Sequence, residues 1–102
     1  MTSQIIVAGT FRAPPENIDA LKPHLEAAVA ATRQEDGCLA YCFALDVTEA
    51  GLIRVYEQWR DQAALDAHLK ASSMAGFMKA AREHGLRDPQ FKIFEIAGER
   101  KL

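Results

Sequence analysis

The sequence predicts an α+β fold of the ferredoxin-like type, with the element order βαββαβ and a four-stranded antiparallel sheet. Four segments alternate with the period of a strand, and two segments repeat apolar residues with the period of a helix. Only a short polar turn joins the second and third strand segments, which indicates an antiparallel hairpin. This split βαβ order places both helices on one face of the sheet.

The first strand is predicted over residues 4–12, an apolar and β-branched segment that two prolines end. A helix is predicted over residues 16–35, with an inward stripe of Ile18, Leu21, Leu25, Ala28, Val29 and Thr32. Pro23 within this segment predicts a kink, or a short first turn before the main helix. Gly37 is expected to end the helix because it adopts the left-handed conformation without steric cost.

The second and third strands are predicted over residues 38–46 and 52–59. Strict alternation places one set of larger side chains of the second strand on a single face: Leu39, Tyr41, Phe43 and Leu45. In the third strand the corresponding set is Ile53, Val55, Glu57 and Trp59. Because the helices cover one face, Glu57 is expected to lie among apolar side chains.

A second helical region is predicted after Asp61, a suitable N-cap residue. Its inward stripe contains Leu65, His68 and Leu69. Two serines interrupt the pattern before a further helical segment over residues 74–84, whose inward residues are Phe77, Met78 and Ala81. The last strand is predicted over residues 90–97.

Composition and charge exclude several classes of protein. The 102 residues suffice for one domain, taken as residues 1–102, and the net charge of −2 without a basic run argues against a nucleic-acid partner. No apolar segment approaches the roughly 18 residues of a membrane span. Cys38 and Cys42 lie about 13 Å apart along a strand, too far for a disulfide, and a cytoplasmic location is expected.

The uncovered face of the predicted sheet still carries apolar residues on all four strands. An exposed apolar face of that kind usually marks an interface. We therefore expect a homodimer that pairs through the sheet with two-fold symmetry.

Two motifs resemble a known family. Residues 35–41 read Glu-Asp-Gly-Cys-Leu-Ala-Tyr, and the Glu-Gln-Trp at residues 57–59 is followed by an Ala-x-x-x-His motif that ends at His68. In this order and spacing, over roughly residues 4–97, the chain resembles the antibiotic-biosynthesis-monooxygenase-like, dimeric α/β-barrel family, and especially its small quinol-monooxygenase-like members. The resemblance implies a dimer with a pocket between sheet and helices, and oxygenation of phenols or quinols by dioxygen with no metal or bound cofactor.

The chain departs from two branches of that family. Polyketide-type oxygenases have an asparagine where this chain has Val55, a tyrosine where it has Leu65, and an arginine near Lys79. The haem-degrading branch has a tryptophan in place of His68 and its iron-binding histidine near Met78. The quinol-type members therefore match best.

The candidate catalytic residues are His68, Glu57 and Trp59. His68 would deprotonate a phenol, and Glu57 is expected to contact His68 and raise its basicity. The candidate substrate-binding residues are Tyr41, Val55, Leu65, Met74 and Phe77.

Three alternatives remain open at the level of sequence. Glu57 and His68 could only satisfy each other and hold the second helix on the sheet. The barrel could bind a small molecule without catalysis, or it could be an isomerase that uses the same two residues.

Overall fold

The computed structural model describes residues 3–102 and has the predicted order of elements, with the second helical region divided into two helices. The strands are β1 (Ile5–Arg12), β2 (Cys38–Leu45), β3 (Leu52–Trp59) and β4 (Arg87–Glu95). The helices are α1 (Ile18–Arg33), α2 (Gln62–Lys70) and α3 (Ser72–Glu83), and a 3-10 turn, Pro15–Asn17, precedes α1. The ferredoxin-like α+β prediction is confirmed.

The sheet has the strand order β2-β3-β1-β4, and every neighbouring pair is antiparallel. β4 is an edge strand that begins at Arg87 and ends at Glu95, whereas the sequence predicted residues 90–97. The prediction began too late because Pro89 was taken to precede the strand. Proline is tolerated in an edge strand, where one row of N–H groups has no neighbour.

The core lies between the helices and one face of the sheet, in two clusters of side chains. The inward face of β3 contributes to both, and its residues are buried as predicted: Ile53, Val55, Glu57 and Trp59. One cluster surrounds Leu21, Ile53 and Phe77, and the other surrounds Ile5, Trp59 and Leu65. Phe43 of β2 packs against both clusters and joins them.

The start of β2 differs from strict alternation. Cys38 pairs with Trp59 and Ala40 pairs with the adjacent Gln58, so Leu39 is an extra residue in a β-bulge. Leu39 is consequently 50% exposed, and Cys38 packs inward against the Trp59 cluster in its place. The prediction that Leu39 shares a face with Tyr41 is wrong, whereas both cysteines are free as expected.

The helix termini follow local chemistry. Asp61 caps α2, since its Oδ1 accepts a hydrogen bond of 2.9 Å from the Ala64 N–H. Pro23 lies inside α1, which continues through it after the separate 3-10 turn.

Leu69 is 55% exposed, so its predicted inward orientation is wrong. It follows the buried His68 directly, and adjacent helical residues point in different directions.

The face of the sheet opposite the helices contains a shallow groove of about 530 Å³. It crosses all four strands, and its lining includes Ala8, Cys42, Tyr56 and Phe94. Tyr56 and Phe94 are 38% and 49% exposed, so this face carries large uncovered apolar side chains. Within residues 3–102, no helix has both the length and the apolar character needed to cross a lipid bilayer.

Candidate active site

His68 is at the centre of the candidate site. It lies on the inward side of α2 and is only 2% exposed. The Trp59 indole lies against its imidazole with a centroid distance of 4.7 Å and an interplanar angle of 32°. The Tyr41 ring approaches it edge-on at 5.5 Å. The structure thus brings together three of the residues that the sequence predicted for the site.

Glu57 holds the tryptophan, not the histidine. The Trp59 indole N–H donates a hydrogen bond of 3.0 Å to Glu57 Oε1. Burial raises the pKa of the Glu57 carboxyl above its ordinary value, and the bond from Trp59 and the nearby His68 partly oppose this. The expected hydrogen bond between Glu57 and His68 is therefore wrong, because the carboxylate on β3 reaches the indole two residues along the same strand face.

The carboxylate that bonds His68 is Glu35. Its Oε1 lies 2.9 Å from His68 Nδ1. Glu35 follows the end of α1, where the chain turns toward β2, and it was not among the predicted site residues. One signal was available: Glu35 lies three residues after Thr32, the last residue of the predicted inward stripe, and so continues that face.

A small void lies beside Tyr41, between the helices and the sheet. Its volume is about 10 Å³, and it is lined by Ala28, Thr32, Tyr41, Ser73, Met74 and Phe77. A void of this size has room for about one water molecule. Burial raises the pKa of the Tyr41 phenol well above its ordinary value, so this hydroxyl stays protonated near neutral pH.

The predicted substrate-binding residues divide into two groups. Tyr41, Met74 and Phe77 meet at the void. Leu65 packs in the Trp59 cluster and Val55 in the Phe77 cluster, and neither lines the void. Val55 and Leu65 are core residues in the structure, because both are almost fully enclosed by neighbouring side chains.

Two polar atoms in the site, His68 Nε2 and Glu35 Oε2, are buried without a hydrogen-bond partner among residues 3–102. A buried polar atom usually has a partner, so each of these atoms has free hydrogen-bonding capacity. Among residues 3–102, no three or more side chains of the metal-binding types are arranged to hold an ion. The site offers a buried imidazole that contacts the rings of Trp59 and Tyr41.

Comparisons with known proteins identify the family and the fold of the chain. The model of the family "Antibiotic biosynthesis monooxygenase" matches residues 4–80. A crystal structure from Deinococcus radiodurans, assigned to the same family, superposes with a TM-score of 0.89 at 28% identity, over 96% of this chain and 97% of that one.

Two sequence relatives are matched over about two thirds of their own length. Protein sll1783 of Synechocystis sp. is 29% identical over 98 residues, which cover 96% of this chain and 67% of the relative. Rv0793 of Mycobacterium tuberculosis, provisionally described as a monooxygenase, is 35% identical over 68 residues, or 67% of this chain and 66% of its own. The matches thus span about two thirds of each relative. Because the family model covers most of the chain, the protein belongs to the antibiotic biosynthesis monooxygenase family.

Proposed function

We propose that the protein is a cofactor-independent monooxygenase of a small phenol or quinol, which binds between the sheet and the helices. The observation that carries this proposal is the buried Nε2 atom of His68, which has no hydrogen-bond partner in the described part of the chain. Trp59 and Tyr41 flank the same imidazole. An unpaired imidazole nitrogen in a dry aromatic environment suits a general base that takes the proton of a phenol.

The chemistry balances with dioxygen as the only co-substrate. His68 Nε2 takes the hydroxyl proton, and the phenolate transfers electrons to dioxygen until a C–O bond forms at a ring carbon that bears hydrogen. His68 returns its proton to give a ring hydroperoxide. Removal of the hydrogen from that carbon then breaks the O–O bond, and the hydroxide leaves as water with this proton. One phenol and one dioxygen give one quinone and one water.

The void must enlarge before a substrate can bind there. At about 10 Å³ it holds no aromatic molecule, so Met74 and Phe77 must move before one can bind. Both residues belong to the first half of α3, and only Ala71 separates this helix from α2. The backbone at Ala71 is extended, so α3 is joined to α2 through a single non-helical residue. A displacement of α3 would enlarge the void, whereas His68 belongs to α2 and Trp59 to β3.

We also propose that two copies of the chain pair through the sheet, as members of this family do. The groove opposite the helices and the exposed rings of Tyr56 and Phe94 support this arrangement. Burying them against a second copy would remove apolar surface from water. Analytical ultracentrifugation at micromolar concentration tests it: the wild type should sediment as a dimer, and F94E should shift it toward monomer. A monomeric wild type would contradict the pairing.

Oxygen uptake tests the proposed activity. Chelator-treated protein is incubated with a panel of hydroquinones and naphthols, and oxygen consumption and quinone formation are recorded together. We expect turnover by the wild type, and a loss of about 10²-fold or more in H68A. H84A is the matched control, because His84 lies at the C-terminal end of α3, where its Nδ1 contacts the Ala80 carbonyl, and it does not line the void. It should retain turnover.

The outcomes separate the alternatives. Full turnover by H68A would remove His68 from the mechanism. A change in Trp59 fluorescence on adding a hydroquinone, without oxygen consumption, would indicate a non-catalytic binding barrel. Enzyme-dependent exchange of carbon-bound substrate hydrogen with solvent deuterium, again without oxygen consumption, would indicate an isomerase.

A further inference from the structure

The hydrogen bond between Glu35 and His68 joins two distant parts of the chain, the residue after α1 and the middle of α2. A carboxylate can only accept at this contact, so the hydrogen belongs to Nδ1 of the imidazole. Neutral imidazole carries a single N–H, and Nε2 then keeps its lone pair. The contact with Glu35 therefore selects the tautomer in which the buried, unpartnered nitrogen is the basic one.

The same contact favours the protonated state of the ring. When Nε2 takes a proton, the positive charge lies 2.9 Å from the Glu35 oxygen in a site with little water. Hydrogen bonds between charged partners are stronger than those between neutral ones. Glu57 lies near the ring as well, but its hydrogen bond is with the Trp59 indole. Glu35 is thus the carboxylate in direct contact with the ring.

We propose that Glu35 is the positioning residue for the proposed base: it fixes the tautomer of His68 and stabilises the imidazolium that forms when the substrate is deprotonated. This inference rests on the proposed function for its catalytic part. It replaces Glu57, which the sequence suggested for this role, with a residue three positions before the β2 strand. In this arrangement Glu57 holds Trp59 against the imidazole through its hydrogen bond with the indole.

The experiment compares E35Q with D36N. Glutamine has nearly the same shape as glutamate and can still accept the Nδ1 hydrogen bond, but it carries no charge. Asp36 is the adjacent carboxylate; it is ion-paired with Arg60 on the surface, so D36N makes the same change in charge outside the site. Circular dichroism and thermal unfolding confirm that each variant is folded.

The first measurement is a titration and needs no substrate. Trp59 is the single tryptophan and lies against His68, so its fluorescence is expected to fall when the ring becomes protonated. The other titratable groups near the ring are Glu35, Glu57, Tyr41 and Cys38, and the Cys38 thiol packs in the Trp59 cluster. We expect the midpoint of the fluorescence change to move to lower pH in E35Q and to stay in place in D36N. An unchanged midpoint in E35Q would overturn the proposal.

The second measurement is turnover of the substrate that the wild type oxidises best. We expect kcat to fall by about 10²-fold in E35Q with KM little changed, whereas E35D recovers part of the loss. The double variant E35Q/H68A should be no slower than H68A alone, because the carboxylate acts through the histidine. Further loss in the double variant, or full activity in E35Q, would refute the role.

The two proposals can fail separately. If the wild type oxidises no phenol, the proposed function fails, and with it the catalytic role of Glu35. The titration still decides whether the carboxylate controls protonation of His68. If the wild type is active and E35Q matches it in both kcat and titration midpoint, only the inference about Glu35 is lost.

Discussion

The Trp59 indole packs against the His68 imidazole with 4.7 Å between the ring centroids, and this contact makes the single tryptophan an internal reporter of the site. Both side chains are almost completely buried. Because protonated imidazole quenches indole fluorescence on contact, we predict that emission falls as the pH is lowered through the protonation of His68. H68Q should remove this transition, whereas H84Q should leave it intact.

Glu57 holds Trp59 in its position against His68. Its carboxyl accepts a hydrogen bond from the indole, and the indole in turn covers one face of the imidazole. If the emission of H68Q changes with pH as the wild-type emission does, the transition belongs to another group. Trp59 fluorescence would then not report on His68.

Stability should depend on pH through Glu57. Because burial raises the pKa of this carboxyl above its ordinary value of 4.5, the folded protein keeps the proton at pH values where the unfolded chain has lost it. The group's contribution to the free energy of unfolding is therefore most favourable at low pH, and it declines as the pH rises from about the unfolded pKa through the folded one. Each unit of pKa shift corresponds to about 1.4 kcal/mol.

The variant E57Q removes this dependence while keeping an oxygen for the Trp59 hydrogen bond. We predict that the difference in free energy of unfolding, E57Q minus wild type, increases between pH 4 and pH 7 in urea titrations. E26Q changes an exposed carboxylate on α1 and serves as control. A difference that stays constant over this range would show that Glu57 ionises alike in the folded and unfolded states.

Two glycines should respond to alanine in opposite directions. A Cβ on Gly9 in β1 would lie 2.8 Å from the Phe91 Cα and collide with the backbone carbonyl of Gln90 in β4, so G9A should destabilise the fold by about 1–3 kcal/mol. A Cβ on Gly76 in α3 would meet nothing within 4 Å, so G76A should stabilise it by about 0.5–1 kcal/mol. Urea unfolding measures the change in the free energy of unfolding for each variant. Changes of the same sign would contradict this interpretation.

The sequence predicted well wherever a local period decides the structure. Alternation along β3 placed Glu57 and Trp59 inward, and the stripe of α1 ended correctly at Thr32. The prediction failed at Leu39. A bulge depends on how β2 pairs with β3, and the alternation of apolar residues along β2 does not reveal it. The partner of His68 was missed for a similar reason: Glu35 is 33 residues away along the chain, and only the packing of α2 brings the two together.

The last prediction concerns Phe77, the largest apolar side chain around the small void. F77A should lower the free energy of unfolding by about 3–5 kcal/mol, because it removes a buried ring from the core and leaves a cavity.

An apolar cavity of the kind that F77A leaves can bind a small aromatic molecule. Since a ligand that binds only the folded state stabilises it, saturating benzene or phenol should raise the Tm of F77A more than that of the wild type. V47A is the control: Val47 is 98% exposed in the turn between β2 and β3, where truncation encloses no cavity, and its Tm should show no such gain. Equal responses of F77A and the wild type would mean that the core closes over the missing ring, and the void beside Tyr41 could then not be enlarged in this way to accept a substrate ring.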